Sequence, residues 1–305
     1  MGRCRLVTTL FFCRSLPVRL VSCLTAIALA AAAGPVFAQD ASTTPPTAPA
    51  TLDVGGDSVT IGAGGIYLND YEGSDHYVWR VGPGAIGSVG GFNFIVAGNR
   101  ASVDLIPDKP GPGWDIQAGP VGVLNFNRSI LKNIDDPRVR ALGKRSTALE
   151  VGGYVGIGRT GVVTSDYDRL SLSVSYRKGV TGAHRAGIWT PTINYFTPLS
   201  RKTAVGLFAS ADYAERGYGK AYFDVDAAQS LASGLPVFTT RKGWKDWSAG
   251  AIGTVALTGD LLHGFKIVGG ATYTRLLNDF ARSPVVSIAG DRNQWIGMLG
   301  LAYTF

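Results

Sequence analysis

The chain has 305 residues, of which 41 are Gly and only 17% are charged, and its formal net charge is +7. All three cysteines (Cys4, Cys13 and Cys23) lie in the first 38 residues, so the remainder has no disulfide, thiolate metal ligand or Cys nucleophile. Four arginines in the same segment supply most of the charge. Without them the net charge is +3, which does not indicate a nucleic-acid partner.

Residues 1–38 have the pattern of a Sec signal peptide that is removed after export. The segment begins with a positive region that contains Arg3, Arg5, Arg14 and Arg19, and residues 20–33 form an apolar run. That run is shorter than the roughly 20 apolar residues of a membrane-spanning helix. Val36-Phe37-Ala38 is a cleavage site of the small-x-small type, so we expect the mature chain to begin near Gln39.

Residues 39–57 are rich in Pro, Thr and Ala and predict an extended periplasmic tail instead of a folded domain. From residue 58 to residue 305 the polarity alternates in segments of a length that suits membrane-spanning strands. The clearest is R-L-S-L-S-V-S-Y-R at 169–177, where Leu, Val and Tyr alternate with Ser and Arg. No run after residue 33 is long enough for a spanning helix, which leaves a closed β-barrel as the membrane-spanning option.

We therefore predict an all-β fold, a closed transmembrane antiparallel barrel of monomer size with about 12 strands (range 10–14). The predicted strands are 58–67, 77–87, 91–98, 100–106, 114–126, 146–159, 168–177, 187–196, 203–214, 246–257, 264–276 and 294–305. A soluble β-sandwich would also alternate in polarity. It would not predict an export signal or belts of aromatic residues.

The connections between the predicted strands alternate in length, as expected when both ends of the barrel are periplasmic. Segments 127–145, 215–245 and 277–293 are predicted outer loops, and 107–113, 197–202 and 258–263 are predicted periplasmic turns. The outer connection at 98–100 has almost no length, so an error in the strand count would lie there. Aromatic residues mark the predicted outer ends (Trp79, Trp189, Trp244, Trp247 and Trp295) and the inner ends (Tyr195, Phe196, Phe265, Tyr303 and Phe305).

No motif in the sequence indicates catalysis, a cofactor or a metal. Residues 82–87 match G-x-G-x-x-G, but a strand pattern follows where a dinucleotide site requires a helix. His76 and His184 fall in predicted outer loops and His263 in an inner turn, and none has a partner set typical of a nucleophile or a metal site. We interpret His76 and His184 as solvated loop residues and expect no enzymatic activity.

The candidate site is the set of charged residues that the alternation directs into the barrel lumen. They are Arg80, Arg100, Asp104, Asp115, Glu150, Arg169, Arg177, Asp212 and Lys266. Two interpretations are open: an ion-pair network that fills a narrow barrel, or a small polar channel. The mixture of signs favours the network. The basic segment 132–145 is either a contact for anionic lipopolysaccharide or a solvated loop.

The last predicted strand carries two further signals. Its inward positions (Ile296, Met298, Gly300 and Ala302) are less polar than a water-filled lumen would require, which favours a filled barrel. Tyr303 and the closing Phe305 resemble the aromatic carboxyl-terminal signature that the barrel assembly machinery reads in outer-membrane proteins. The expected location is the outer membrane, in contact with lipid and lipopolysaccharide.

Four segments together resemble the MipA/OmpV family of outer-membrane proteins. They are N-D-Y-E-G-S-D at 69–75, Y-F-D-V with A-S-G-L-P at 222–236, T-Y-T-R-L-L-N-D with R-S-P-V-V at 272–286, and G-L-A-Y-T-F at 300–305. The resemblance implies a non-enzymatic scaffold that joins a lytic murein transglycosylase to a bifunctional penicillin-binding protein. Other members imply alternatives: a small porin-like channel, or a surface adhesin or receptor that uses the long outer loops.

Overall fold

The computed structural model describes residues 57–108 and 111–305, which form twelve antiparallel strands closed into a barrel. The strands are β1 Ser58–Asn69, β2 Tyr77–Val89, β3 Phe92–Ala97, β4 Arg100–Val103, β5 Gly113–Asn125, β6 Ala148–Thr160, β7 Arg169–Thr181, β8 Gly187–Pro198, β9 Thr203–Ala214, β10 Gly243–Ala256, β11 Gly264–Leu276 and β12 Asn293–Thr304. Each pairs with its sequence neighbours, and β12 closes the barrel against β1. The predicted signal peptide and residues 39–56 of the predicted tail lie outside the described residues.

The alternation in the sequence becomes an inside and an outside face. In β7, Ser171, Ser175 and Arg177 are buried, whereas Leu172 is 52% exposed and Val174 is also exposed. Exposed apolar side chains recur on the same face of the other strands, which is untenable in water and favourable against lipid tails. The molecule is therefore a membrane-spanning β-barrel. Among the described residues, no helix is both long and apolar enough to cross a membrane.

The predicted closed antiparallel barrel of about twelve strands is confirmed. The short connection at 98–100 is a tight turn, which Gly98 makes with a φ of 56°. It joins two unusually short strands, since β3 has 6 residues and β4 has 4. The strand boundaries differ from the prediction by a few residues. The most consequential difference is that β10 begins at Gly243 instead of residue 246, which places Lys245 within the strand.

Long connections gather at one end of the barrel, here called the loop end, and short ones at the other, the turn end. Trp79, Trp189 and Trp295 project outward near the loop end, while Phe265, Tyr303 and Phe305 contact one another at the turn end. These two rings match the aromatic belts of a spanning barrel. Phe196 does not belong to them: it is buried and packs on Ala204 and Leu261, because its position in β8 faces inward.

The long connections fold over the loop end as a plug with short helices. These are a 3₁₀ turn at Leu131–Asn133 and the helices α1 Pro137–Ala141, α2 Arg216–Tyr222, α3 Ala227–Ser233, α4 Asn278–Arg282 and α5 Pro284–Ser287. Two buried apolar clusters hold them together, one around Phe223 and Phe280 and the other around Tyr71 and Val139. The segment 132–145 is only partly a solvated loop: its basic side chains Lys132, Arg138, Arg140 and Lys144 are exposed, whereas Ile134, Val139 and Leu142 are buried in the plug.

Candidate functional site in the barrel interior

The inward face of the barrel is divided into a polar half and an apolar half. The polar half lies on β5 to β10, where Glu150, Arg177 and Asp212 are all buried. The apolar half lies mainly on β1, β2, β11 and β12, where the inward positions are largely Gly and aliphatic residues. Each half has its own chemistry, and the polar half contains most of the charged residues predicted from the sequence.

Arg177 is the centre of the polar half and bridges two carboxylates. Its Nε lies 2.7 Å from Glu150 Oε2, and its Nη2 lies 2.9 Å from Asp212 Oδ2. Its Nη1 donates to Thr190 Oγ1 at 2.7 Å, and the Thr190 hydroxyl donates in turn to Asp212 at 2.6 Å. These contacts join four consecutive strands, β6 to β9, along one side of the inner wall.

Lys245 extends this network towards the plug. Its Nζ lies 2.6 Å from Glu72, 2.7 Å from Asp246 and 3.5 Å from Asp212, and its side chain is fully buried. A β-bulge between Trp244 and Asp246 shifts the register of β10. Because the bulge breaks the alternation of faces, the consecutive residues Lys245 and Asp246 are both buried.

Glu72 joins the network to the plug. It lies in the connection between β1 and β2 and accepts hydrogen bonds from Tyr218 Oη at 2.8 Å and from Asn127 Nδ2 at 3.2 Å, besides its ion pair with Lys245. Tyr218 lies on α2 and Asn127 in the connection that leads to α1. A charge-assisted network of this kind holds three loops against the barrel wall.

A second charged cluster lies near the turn end. Arg169 pairs with Asp108 at 2.7 Å and with Asp115. Asp104 is buried but belongs to the segment after β4, where Oδ1 accepts from the backbone N–H of Ile106 and of Ala118, both at 3.1 Å. Asp104 thus fixes the end of the short hairpin instead of lining an open lumen.

The remaining predicted lumen residues are dispersed. Arg100 is buried in β4, Arg80 is half-buried in β2, and the Lys266 ammonium donates to the carbonyl of Leu261 at the turn end. Tyr303 and Phe305, the predicted assembly signal, are exposed on the outer face.

Sequence reasoning missed Glu72, Lys245, Asp246 and His184 as members of the site. The interpretation of His184 as solvated is wrong: its side chain is fully buried and its Nε2 lies 3.0 Å from Glu150. Its Nδ1 accepts from the backbone N–H of Ala186 at 3.3 Å, so Nε2 is the protonated nitrogen and donates to Glu150. With both nitrogens engaged, the imidazole holds the network together and has no lone pair left for a general base.

His76 and His263 are exposed at opposite ends of the barrel. His76 lies 3.4 Å from Asp135 and 3.7 Å from Asp75, and His263 lies 3.6 Å from Asp260. Within the described part of the chain, no group of three or more His, Cys, Asp or Glu side chains could hold a metal ion.

Asp168 organises the turn at residues 161–168, at the turn end. Its carboxylate accepts from the backbone N–H groups of Val162, Val163 and Thr164 at 2.6–2.8 Å and from Tyr195 Oη at 2.8 Å. These donors, chiefly the Thr164 and Val162 amides, outweigh the opposing effect of burial and hold the pKa of Asp168 well below its usual range. The turn presents Val163 and Tyr167 to solvent.

The apolar half encloses a cavity of about 340 Å³. Gly64 and Ile66 of β1, Gly84 and Ile86 of β2 and Met298 of β12 are among the residues that line it. Among the lining residues that the structure describes, only Arg80 and Lys266 are charged, and both are cationic.

Comparison with known proteins relates the barrel to one family. The profile of the family described as MltA-interacting protein MipA matches residues 61–305. No curated protein sequence matches the chain.

Solved outer-membrane barrels resemble it only distantly. An outer membrane channel from Pseudomonas putida is 11% identical with a TM-score of 0.41, and the match covers 86% of this chain and 99% of that one. The outer membrane channel DcaP of Acinetobacter baumannii is 9% identical with a TM-score of 0.36 over 85% and 100% of the two chains. An anion-selective porin from Comamonas acidovorans is 10% identical with a TM-score of 0.36 over 82% and 99%.

Proposed function

Because the chain belongs to the family of MltA-interacting protein MipA, we propose that it is a non-enzymatic scaffold in the outer membrane for murein-remodelling enzymes. The partners would be a lytic murein transglycosylase, as the family description implies, and a penicillin-binding protein. The barrel fixes the scaffold in the membrane, and the periplasmic parts bind the enzymes. Fold resemblance alone carries function poorly, and two features of this barrel, its interior and its turn end, support the proposal.

The observation that carries this proposal is the ion-paired interior beneath a packed plug. Arg177 and Lys245 connect strands β6 to β10 with Glu72 in the plug through contacts of 2.6–3.5 Å. A pore for free diffusion needs a hydrated path, whereas buried and mutually paired charges fill this part of the lumen. A filled, rigid barrel suits an anchor that holds partners better than it suits a sieve.

The turn end offers the partner surface. The turn 161–168 projects Val163, which is 76% exposed, beside Tyr167, and the neighbouring turn exposes Leu199. The hydrogen bonds to Asp168 fix the shape of this turn, so binding would lose little conformational entropy. We expect the turns to act together with the tail at 39–57.

Affinity capture tests the scaffold role. The purified barrel in lipid nanodiscs, with a lytic transglycosylase and a penicillin-binding protein from the same envelope as probes, should bind at least the transglycosylase saturably. The double substitution Val163→Ser with Leu199→Ser should weaken that binding by about tenfold, which corresponds to roughly 1.4 kcal/mol.

Leu231→Ser is the matched control, because Leu231 is an equally apolar side chain, 90% exposed, at the loop end. Its substitution should leave transglycosylase binding unchanged. If neither enzyme binds the wild-type barrel, or if only Leu231→Ser weakens binding, the scaffold at the turn end is refuted.

A surface receptor is the second candidate, and the exposed apolar residues of the plug favour it. Leu231 on α3 and Val237 in the segment after it are both exposed at the loop end. If this surface binds a host or phage component, Leu231→Ser with Val237→Ser should abolish adhesion of cells that display the barrel. Unchanged adhesion would exclude this surface.

A further inference from the structure

We propose that the apolar cavity binds the acyl chain of a single-chain anionic amphiphile of the fatty-acid class, which enters from the bilayer through a gap in the barrel wall. This inference is independent of the scaffold role, because it uses the opposite half of the lumen and a different partner. It rests on the wall near the β3–β4 hairpin, the lining of the cavity and the charge at its rim.

The gap lies beside the outer half of β2. β2 pairs with β1 over its whole length but with β3 only from Gly84 to Val89, so residues 77–83 have no strand on that side. Strands of 6 and 4 residues cannot span the membrane, which requires roughly 9–11 residues per strand. β5 ends at Asn125, one residue beyond its last contact with the hairpin at Leu124. On the loop-end side of the hairpin, residues 77–83 of β2 therefore have no strand beside them in the barrel wall.

The tip of the hairpin forms the edge of this gap that lies towards the turn end. Gly98 N donates to Pro83 O at 3.0 Å, and Asn99 exchanges bonds with Leu124 of β5 at 2.8–2.9 Å. Since the Pro83 carbonyl points to the hairpin, the alternation of an antiparallel strand turns the backbone groups of Val81 and Trp79 towards the gap. Backbone groups that face hydrocarbon are costly, so an amphiphile that brings polar atoms to this edge would be favoured over lipid tails alone.

The cavity reaches this gap from inside. Gly98 and Asn99 at the hairpin tip belong to its lining, together with Arg80 and the apolar residues of β1, β2 and β12. Its volume of about 340 Å³ lies within the range of about 300–1,000 Å³ typical of small-molecule pockets. Apolar cavities of this kind exclude water and bind apolar ligands.

The charge at the rim of the cavity, on Arg80, favours a ligand with an anionic headgroup. Arg80 occupies an inward position of β2 opposite Ile66 and one residue from the exposed Trp79, which places it near the level of the aromatic belt. A guanidinium carries five donors and can bind a carboxylate in addition to the groups already near it. A fatty acid fits both features: its acyl chain would lie against the apolar lining, and its carboxylate would bind the Arg80 guanidinium.

Gly84 provides the decisive variant. It faces the cavity between Gly62 and Ala97, and a Cβ added there would meet nothing closer than Val96 O at 3.7 Å. Gly84→Phe should fill the cavity without a clash of the backbone. Gly297→Phe is the control, because Gly297 lies on the outward face of β12 and an added Cβ would find no atom within 4 Å.

The experiment measures dodecanoate binding to the full barrel by native mass spectrometry and by isothermal titration in nanodiscs. We expect one dodecanoate per wild-type barrel, an affinity at least about tenfold lower for Gly84→Phe and an unchanged affinity for Gly297→Phe. Arg80→Gln should weaken dodecanoate binding but leave the binding of neutral dodecanol unchanged.

The folding of each variant is checked by heat-dependent gel mobility, and Ala97→Phe replaces Gly84→Phe if the latter does not fold. Absence of stoichiometric binding to the wild type would overturn the proposal. An equal loss in Gly297→Phe would place the ligand on the outer surface and would also overturn it, as would full binding by both cavity-filling variants.

Discussion

At the scale of single residues, Arg177 bridges two buried carboxylates of the polar half, Glu150 and Asp212. Arg177→Met should lower the free energy of unfolding by about 3–5 kcal/mol, since it removes the arginine cation from the buried Glu150 and leaves Asp212 only the longer 3.5 Å contact with Lys245. Urea unfolding in lipid vesicles, followed by the loss of heat-dependent gel mobility, measures this change.

Arg241→Ala is the matched control for that measurement. Arg241 pairs with Asp279 at 2.8 Å, but its side chain is largely exposed to solvent. Water screens such a pair, so the unfolding midpoint should not move. Equal effects of the two substitutions would show that the buried network does not hold the barrel together.

Asp168 gives the molecule a defined dependence on pH. Its folded-state pKa is depressed below the usual value of about 3.9 by its amide and hydroxyl donors. The stabilisation is therefore complete above about pH 4 and is lost as the pH falls further, through the folded-state pKa. Asp168→Asn should be less stable than wild type at pH 7, and the difference should shrink below about pH 4. A constant difference across that window would contradict this assignment.

Some residues of the interior could be predicted from the sequence and others could not. Alternation alone placed Glu150, Arg177 and Asp212 on one side of their strands. Lys245 could not be placed in this way, because the β-bulge beside it breaks the period of two. Glu72 lies in a loop, and only the folded plug brings it to Lys245.

At the scale of elements, the plug is a small packed unit of its own. Phe280 of α4 is fully buried and meets Phe223 edge-to-face with ring centroids 5.2 Å apart. Phe280→Ala should cost the plug about 3–5 kcal/mol of packing and leave the barrel strands intact. Limited trypsin digestion should then cut at Arg241 or Lys242 much faster, while heat-dependent gel mobility is retained.

Leu231→Ala serves as the control for the plug, since Leu231 is exposed on α3 and its truncation creates no cavity. Its digestion rate should equal that of wild type. If Phe280→Ala is digested no faster than this control, the plug is not held by its apolar cluster.

The strands were more predictable than the plug helices for a physical reason. A strand of 12 or 13 residues repeats its lipid-facing pattern many times, whereas the helices have 4–7 residues and no repeated period. Isolated helices of that length are unstable, and burial in the plug forms them. In the sequence, the hairpin of β3 and β4 showed only as a connection of almost no length. Only the pairing of these strands with β2 and β5 shows that the hairpin leaves part of β2 without a neighbour in the barrel wall.

At the scale of the whole molecule, the barrel combines an ion-paired half, an apolar half and a packed plug. Strand β12 closes the barrel, and its inward Ile296 and Ala302 belong to the apolar lining. These positions line a cavity of about 340 Å³, so they do not fill the lumen as their low polarity predicts. The buried ion pairs fill the opposite half. In the scaffold role that we propose, the barrel is the membrane anchor and the turn end is the surface that binds the partners.

Planar-bilayer recording tests the central claim, a barrel that does not conduct, most directly. Wild-type protein inserted into the bilayer should show no steady conductance, because buried ion pairs and the plug leave no hydrated path. Arg177→Met, inserted under the same conditions, is the positive control. Loss of its ion pairs should loosen the lumen and give brief openings, which shows that the assay can detect conductance. A steady, voltage-independent open level in the wild type would contradict the account and favour the porin-like function.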